Sequence, residues 1–594
     1  MKEGQIKKLL KIDSKECSHC GSALIKTHSR RNLQDLDKSY YIDTEIGRCA
    51  SSMCPCQGIR IYPAEYKRLI YPKSDYSLRV YAEIGYQRLN ESKSVSQISK
   101  SLSSSYPDLG LRERSIENIF KRVQVCLRQR QEDKEQLKQN IARSGISQLC
   151  LTIDGIAPER GNAILYVVRE VQSQLIIYVR YLEHSDASHL VSDLFEPLKA
   201  LLDELSCPLG GWLCDKQNGF IPALSSVFVG VPIHLCQAHF LKAMGKPVQA
   251  ADSEMAKAIK KKLRPLKQIE KDLERIAIPV AIDEAIPVAI DEVIPVAIDD
   301  KQELDLALRA KEMEVAQLKA AKELCKDAQQ SLATLCLLPR AWISRSISVT
   351  YELRGVRMYE QFTQAIETIK KMEQKRVHPL LSRLKEMFLQ SIQAHQSTYE
   401  DLKKAHCFLE ELTDILYGKK QEIPGQKQWV RLSSKHRKEQ TASQVEQNID
   451  QLIADFKQDN KKRSTLCREF ILNFETTYKN WKPNIFTCYD HDFIPNDNND
   501  LESNHNKVKR VIRKTTGHKS TAQALKMYGE ELIYCQVFFD EPPEEFLTAL
   551  ADVNFNKVKL RQKELKLKQQ KRGLKIRVIN QTEKVLEKVL NDWR

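Results

Sequence analysis

The chain has 594 residues, of which 42% are hydrophobic, so it is long enough for several domains and apolar enough to form their cores. That composition excludes a disordered chain. The net charge of +16 and the isoelectric point near 9.0 favour a polyanionic partner. The sequence has no apolar run of about 18 residues that could cross a bilayer, and residues 1–16 lack the apolar core of a signal peptide. We therefore expect an intracellular protein without a membrane partner, in a compartment that keeps thiols reduced.

A group of cysteines near the N-terminus has the spacing of a zinc ribbon. A Cys-x2-Cys pair followed by Gly21 supplies the tight turn of a zinc knuckle, and three further cysteines compete for the two places of a second pair. We favour the first two of those three and keep Cys56 as the alternative. The sequence therefore predicts a zinc-ribbon-like domain at 1–70, in which a structural Zn²⁺ ion is bound by Cys17, Cys20, Cys49 and Cys54.

Residues 75–145 have the apolar periodicity of a small helical domain. The predicted helices are Tyr76–Leu89, Ser94–Leu102 and Arg112–Leu127. Short helices with a basic final helix fit a helix-turn-helix module that binds DNA, and a plain helical bundle is the alternative. The candidate DNA contacts lie off the apolar face of the third helix and are Arg112, Arg114, Lys121 and Arg122.

Residues 147–249 follow the order β-β-β-α-β-α-β. The predicted strands are Leu149–Gly155, Ala163–Arg169, Leu175–Leu182, Gly211–Cys214 and Pro232–Leu235. The first strand contains Asp154 near its end, and the fourth is followed directly by Asp215. In an RNase H-like sheet those two strands lie side by side, which would bring the two carboxylates close enough to share metal. Alternatively, each aspartate merely ends a strand.

The segment 250–480 is mostly charged helix and predicts an all-α insertion. An octapeptide is repeated almost three times at 277–300, and its regularly spaced prolines exclude one continuous helix. We expect this repeat to be a dispensable linker or surface extension. Just before the insertion, Cys236 and His239 form a Cys-x2-His pair, which alone offers too few ligands for a zinc site and predicts a structural role.

An acidic stretch leads into a basic helix within 485–545, the segment that we expect to complete the sheet domain. Glu502 lies in the first turn of this helix and is the candidate third acid, with Glu352 in the insertion as its rival. The segment 546–594 predicts a basic arm on nucleic acid. A solvated charged face is the alternative interpretation of the basic helix. Its candidate phosphate contacts are Lys507, Lys509, Arg510, Arg513 and Lys514.

Together these motifs resemble a DDE transposase of a bacterial insertion sequence, in the Mutator-like groups that carry an α-helical insertion before the glutamate. The matching stretches are Thr152-Ile153-Asp154-Gly155, Cys214-Asp215, Cys236-x2-His239 and Asn498-Asn499-x2-Glu502. The resemblance covers most of the chain, although the octapeptide repeat has no place in the family pattern. It implies a multidomain α/β protein. Its RNase H-like mixed-sheet core would be interrupted by the all-α insertion and preceded by the zinc ribbon and the helix-turn-helix-like module.

The resemblance also implies a chemistry. Asp154, Asp215 and Glu502 would bind two Mg²⁺ or Mn²⁺ ions per active site, for DNA cleavage at the ends of a mobile element and strand transfer of the 3′-OH into target DNA. The implied partners are double-stranded DNA, as terminal repeats and as target, and further copies of the chain in a homodimer or larger assembly. The implied location is the cytoplasm, on the nucleoid. The alternatives are an RNase H-like nuclease or resolvase, and a non-catalytic DNA-binding protein derived from a transposase.

Overall fold

The computed structural model of the chain describes residues 5–159, 162–217, 219–276, 328–344, 352–375, 378–422, 429–431, 437–459 and 465–580. The octapeptide repeat at 277–300 lies outside the described residues. The chain divides into two compact units. The first unit consists of Met1–Gly210, Asn218–Val231 and Asp500–Arg594, and the second consists of Gly211–Gln217 and Pro232–Asn499.

The N-terminal sheet of the first unit is built from strands β1 (Ile6–Leu10), β2 (Leu24–Gln34) and β3 (Ser39–Cys49). β3 lies between the other two, parallel to β1 and antiparallel to β2. The short helix α1 (Ala64–Leu69) follows. The apolar side chains buried around this sheet form small clusters, one of which consists largely of cysteines. A core this small needs an additional cross-link for stability.

The three helices predicted within residues 75–145 are present as α2 (Leu78–Leu89), α3 (Val95–Ser105) and α4 (Glu113–Gln131), and a further helix, α5 (Lys134–Arg143), follows them. α2 begins two residues later than predicted because the Ser77 hydroxyl accepts a hydrogen bond from the Val80 backbone amide and caps the helix. Ser94 and Gln97 form a reciprocal capping box at the start of α3. α4 packs against both α2 and α3.

A second mixed sheet follows the predicted order of elements. Its strands are β4 (Leu149–Ile156), β5 (Ile164–Glu170), β6 (Ile176–Leu182), β7 (Leu209–Cys214) and β8 (Ile233–Leu235). Their spatial order is β6-β5-β4-β7-β8, with β5 antiparallel to both β4 and β6, and β7 parallel to β8. The helices between β6 and β8 are α6 (Ala187–Leu190), α7 (Glu196–Leu205) and α8 (Phe220–Val227). Each strand lies within two residues of its predicted position, so the β-β-β-α-β-α-β prediction is confirmed.

The second unit is mostly helical. Its helices are α9 (Gln237–Lys262), α10 (Leu266–Ile276), α11 (Ala328–Ser344), α12 (Arg354–Lys375), α13 (Pro379–Ile392), α14 (Gln396–Tyr417), α15 (Ala442–Asp459), α16 (Thr465–Ile485) and α17 (Thr487–Asp490). We predicted an all-α insertion, but this segment also contains two strands. β9 (Lys420–Glu422) pairs antiparallel with β10 (Trp429–Arg431). These strands span only three residues each, too few for the periodicity of the sequence to reveal.

The last described elements of the first unit are helices that return to its helical domain. They are α18 (Asn499–Thr516), α19 (Ala522–Tyr534), α20 (Pro543–Ala551) and α21 (Phe555–Asn580). α20 packs against α2, while α19 and α21 pack against α4. The segment 546–594, predicted as a basic arm, therefore begins in a packed helix in which Phe546 is fully buried.

A buried charge cluster joins α4 to these returning helices. The Arg128 guanidinium donates to Glu530 at 2.8 Å and to Glu531 at 2.7 Å. Arg561 on α21 contacts the same two carboxylates at 3.2 and 3.1 Å. These residues are far apart in the sequence, since 402 positions separate Arg128 from Glu530. Because removing one partner of a buried ion pair leaves an uncompensated charge, the cluster fixes how α4, α19 and α21 meet.

Candidate metal centres

The loop before β2 has the backbone of a zinc knuckle. The Cys17 amide donates to the Ser22 carbonyl at 2.8 Å, and the Gly21 amide donates to the Cys17 carbonyl at 2.9 Å. Gly21 has a φ of +71°, a conformation that glycine adopts without the steric cost of a side chain. β2 pairs with β3 so that Leu24 lies opposite Cys49. This pairing brings the Cys-x2-Cys loop to the end of β3.

The predicted cysteines meet at this position. The Sγ atoms of Cys17, Cys20, Cys49 and Cys54 lie within 4.8 Å of one another. The Cys17 and Cys54 sulfurs are 3.9 Å apart, and the Cys20 and Cys49 sulfurs are 3.4 Å apart. A tetrahedral zinc ion with Zn–S bonds of about 2.3 Å separates its sulfur ligands by about 3.8 Å. The four thiols could therefore hold a metal ion such as zinc, and no other set of donors is needed there.

The fourth member of the cluster is Cys54, as we favoured, and the alternative Cys56 lies outside it. The Cys56 backbone amide instead donates to the Cys54 sulfur at 3.3 Å. The pKa of the Cys20 thiol is lowered to about 6, first by the Ser22 hydroxyl and then by the Ser22 backbone amide and Cys49. Because zinc binds the thiolate, donors that stabilise this form favour metal binding.

A second group of possible ligands lies at the end of the parallel strand pair in the second unit. Cys214 of β7 is in register with Leu235 of β8, and the Cys236 amide donates to the Cys214 carbonyl at 2.9 Å. The residues that follow the two strands, Asp215 and Cys236, therefore lie at one edge. His239 is in the first turn of α9, and its Nδ1 atom lies 2.8 Å from Asp215 Oδ1. The ligand atoms of Asp215, Cys236 and His239 lie within 4.8 Å of one another.

Asn498 completes the surroundings of this group. Its Nδ2 atom donates to Asp215 Oδ1 at 3.4 Å, while its Oδ1 atom is buried and has no hydrogen-bond partner among the described residues. Burial raises the pKa of the Cys236 thiol, although the His239 side chain and the backbone amides of His239 and Asn498 stabilise the thiolate. A bound cation would favour the thiolate further, since a coordinating thiol is deprotonated.

Asp154 and Glu502, the other predicted acids, lie in the first unit. Asp154 is within β4, and its Oδ1 atom accepts a hydrogen bond from the Gly155 amide at 2.7 Å. Its Oδ2 atom lies 3.1 Å from Nδ1 of His505, a buried histidine of α18. Glu502 lies on the same helix, three residues before His505 and therefore near it on the helix surface. Neither Asp154 nor Glu502 belongs to the two ligand groups found among the described residues.

His505 was not predicted from the sequence. The signal that could have found it is its spacing from Glu502, because side chains three positions apart on a helix are neighbours. The rival acid Glu352 lies in the second unit and forms an ion pair with Arg357. The helix α18 begins at Asn499, and Glu502 lies in its first turn as predicted.

The predicted phosphate contacts on α18 differ in their surroundings. Arg513 donates to Glu159 at 2.9 Å, and Lys507 lies 3.7 Å from Asp540. Lys514 is exposed, and Lys509 and Arg510 are partly buried. The apolar face of α18 is buried through Leu501, Val508, Val511 and Ile512.

The predicted DNA contacts of the helical domain also divide into exposed and packed side chains. Arg112 precedes α4 and Arg114 lies in its first turn, and both are exposed. Lys121 is exposed and pairs with Glu117 at 2.7 Å. Arg122 instead donates to the Tyr81 hydroxyl at 2.9 Å and lies over the Tyr71 ring.

None of the helices in the described part of the chain is both long and apolar enough to span a membrane. No protein-family model matches the sequence. A search of curated proteins also finds no significant match.

Proposed function

We propose that the chain is a DNA transposase of the DDE type, built on an RNase H-like catalytic sheet. The observation that carries this proposal is the strand order β6-β5-β4-β7-β8. In this order β4, which contains Asp154, is followed by β7, which ends one residue before Asp215. The RNase H-like resemblance requires these two strands to be neighbours. The basic composition of the chain supports a nucleic-acid partner.

The three predicted acids offer the oxygen ligands of hard divalent cations, but one of them also has sulfur and nitrogen donors beside it. Asp154 and Glu502 offer carboxylate oxygens, the ligands that Mg²⁺ and Mn²⁺ prefer. Asp215 does so as well, although it lies beside a thiol and an imidazole. When bound, a pair of such ions stabilises the charge on the attacking and leaving oxygens of an in-line displacement. Asp154, Asp215 and Glu502 would hold them, and His505 would orient Asp154 through its Nδ1 atom.

The reaction has two proposed steps. Water attacks a phosphodiester at the end of the element, a P–O bond breaks, and the products are a 3′-OH and a 5′-phosphate. That 3′-OH then attacks a target phosphodiester, and the target strand leaves with its own 3′-OH. Phosphate contacts position the DNA without reading its sequence. On α18 they would come from Lys507, Lys509, Arg510, Arg513 and Lys514.

The test is a transposition assay with DNA that flanks the gene itself. A selectable marker is placed between these flanks, and insertions into a target plasmid are counted in cells and with the purified chain. We expect Asp154→Asn, Asp215→Asn and Glu502→Gln each to abolish insertion and cleavage while DNA binding persists. The matched control is Asp203→Asn, an exposed aspartate paired with Lys199.

The rival functions give different results in the same assay. Cleavage without strand transfer would identify a nuclease or resolvase, and binding without cleavage would identify a non-catalytic DNA-binding protein. If Glu352→Gln abolished cleavage and Glu502→Gln did not, the assignment of the third acid would be wrong.

A further inference from the structure

We propose that Asp215, Cys236 and His239 form a second transition-metal site, which binds one Zn²⁺ ion or a similar ion in the second unit. The proposal does not depend on the transposase function. It is compatible with that function because a carboxylate has two oxygens, so Asp215 could bind this ion through Oδ1, the atom beside His239, and a hard cation through Oδ2. It rests on how the parallel strands β7 and β8 end in register and on the chemistry of the three side chains gathered there. The sequence alone predicted that Cys236 and His239 have only a structural role, since it offered two ligands.

The backbone positions the three donor side chains without the help of a metal ion. Asp215 and Cys236 are the first residues after neighbouring parallel strands, so their side chains start from the same edge of the sheet. Cys236 is also the residue before α9, and His239 follows within the first helical turn. Residues at i and i+3 of a helix start lie on one face, which directs the thiol and the imidazole to the same point.

The three donors suit zinc better than magnesium. A thiolate, an imidazole nitrogen and a carboxylate oxygen are all zinc ligands in proteins, whereas magnesium and calcium select oxygen donors. Three protein ligands with a fourth open position are the arrangement of a reactive rather than a purely structural zinc site. His239 Nδ1 and Asp215 Oδ1 are 2.8 Å apart. That separation fits a shared proton, which a metal ion would replace on binding.

Asn498 provides an independent indication that a cation belongs here. This side chain is 3% exposed, and its Oδ1 atom has no hydrogen-bond partner among the described residues. A buried amide oxygen without a donor destabilises the fold, because it has lost its hydrogen bonds to water. Its amide group already contacts Asp215 at 3.4 Å through Nδ2. A metal ion, or a water bound to that ion, would satisfy the oxygen.

The alternative is that His239 and Asp215 form a hydrogen-bonded pair beside a buried cysteine and bind no metal. The two interpretations differ in metal content. The full chain is purified after growth with zinc and dialysed without a chelator, and zinc is measured per chain. We expect two zinc ions per chain, one on the four cysteines of the first unit and one here.

Variants of the proposed ligands test whether the second zinc ion binds at this group. His239→Ala should lower the content from two ions to one, and because this side chain is 22% exposed its loss should be tolerated by the fold. Cys236→Ser should do the same. The matched control is Cys467→Ser, since Cys467 is equally buried in the second unit but contacts Asp401. It should retain two ions.

A second measurement keeps the proposal testable if one of these variants folds poorly. Cobalt is added to the chain carrying Cys17→Ser and Cys20→Ser, which lacks the first cluster. A thiolate-to-cobalt absorption band should appear there and should vanish when Cys236→Ser is added. One zinc ion per chain in the unaltered protein and in His239→Ala alike, together with no cobalt band, would overturn the proposal. Both readouts are independent of DNA cleavage, so a failed transposition assay leaves this proposal unaffected.

Discussion

The four-cysteine cluster of the first unit and the Asp215–Cys236–His239 group of the second unit form where the backbone leaves a strand. In the first, every donor is a thiol, and antiparallel pairing of β2 with β3 brings the loops together. In the second, the donors are mixed, and parallel register of β7 with β8 aligns them. Spacing in the sequence reveals the first kind of site, because identical residues recur at short intervals. The second kind depends on which strands are neighbours.

The two groups also differ in what surrounds them. The first cluster provides much of the apolar core near it, as Cys17, Cys49 and Cys54 are buried with Ile12 and Leu24. The second lies within the second unit, where many apolar side chains outside the group are buried. Removing metal from the first should therefore affect folding, whereas removing it from the second should affect chemistry more than folding.

The largest effect that we expect is at the first cluster. Cys54→Ser should abolish zinc binding there and destabilise residues 1–70, since the buried apolar side chains around this sheet form only small clusters. Cys56→Ser should be milder, because Cys56 contributes a backbone amide to the Cys54 sulfur. Zinc content and limited proteolysis of the full chain would measure both changes. Equal damage from the two variants would place Cys56 among the ligands.

A smaller effect is expected at the second group. Asn498→Ala should weaken metal binding there by about 10–100-fold, as the loss of a partner that orients a metal ligand commonly does. The first cluster should keep its zinc. Competition with a metal-binding dye, using the chain with and without the first cluster, would separate the two affinities. An unchanged second affinity would show that Asn498 has no part in the site.

Neither metal group contains a lysine or an arginine, so we expect the phosphate contacts of the DNA to depend on α18 instead. Replacing Lys509 and Arg513 together with Ala should reduce the slope of log affinity against log salt by about two. Binding to cognate and scrambled duplexes should weaken equally, because phosphate contacts carry no sequence information. The control is the double replacement of the exposed residues Lys138 and Lys199. Loss of cognate discrimination with an unchanged salt slope would mean that α18 reads bases.

The smallest effect concerns the partner of Arg513. Partial burial opposes ionisation of Glu159, but the Thr521 amide and the Arg513 guanidinium outweigh it and lower the pKa of Glu159 to about 2. A carboxylate whose pKa is lowered by folding stabilises the fold above its unfolded value of about 4.5, and this contribution is lost as the pH falls toward about 2.

We therefore expect Glu159→Gln to lower the free energy of unfolding slightly at neutral pH. The difference from the unaltered chain should shrink as the pH falls from about 4.5 to about 2. Urea unfolding across this range would measure it. A difference that stays constant with pH would show that the Arg513 contact contributes nothing through charge.

The sequence predicted the strands of the five-stranded sheet and the first cluster well, because both depend on local pattern. β5 and β6 are runs of Ile, Val and Tyr. The cysteine spacing favoured Cys54 but left Cys56 as an alternative, and the structure places Cys54 in the cluster. The short strands β9 and β10 were missed because three residues show no period. His505 was missed because its contact with Asp154 joins positions over 300 residues apart in the printed sequence.

The Arg128 cluster has a consequence for the synthesis of this chain on the ribosome. Glu530 follows Arg128 by 402 positions, which at about 5–20 residues per second corresponds to roughly 20–80 seconds. During that interval α4 can form and Arg128 can pair with Glu132 on the same helix, but Glu530 and Glu531 are not yet present. A buried charge that lacks its partners costs about 3–5 kcal/mol. The packed form of the helical domain should therefore appear only once α19 and α21 have been synthesised and supply Glu530, Glu531 and Arg561.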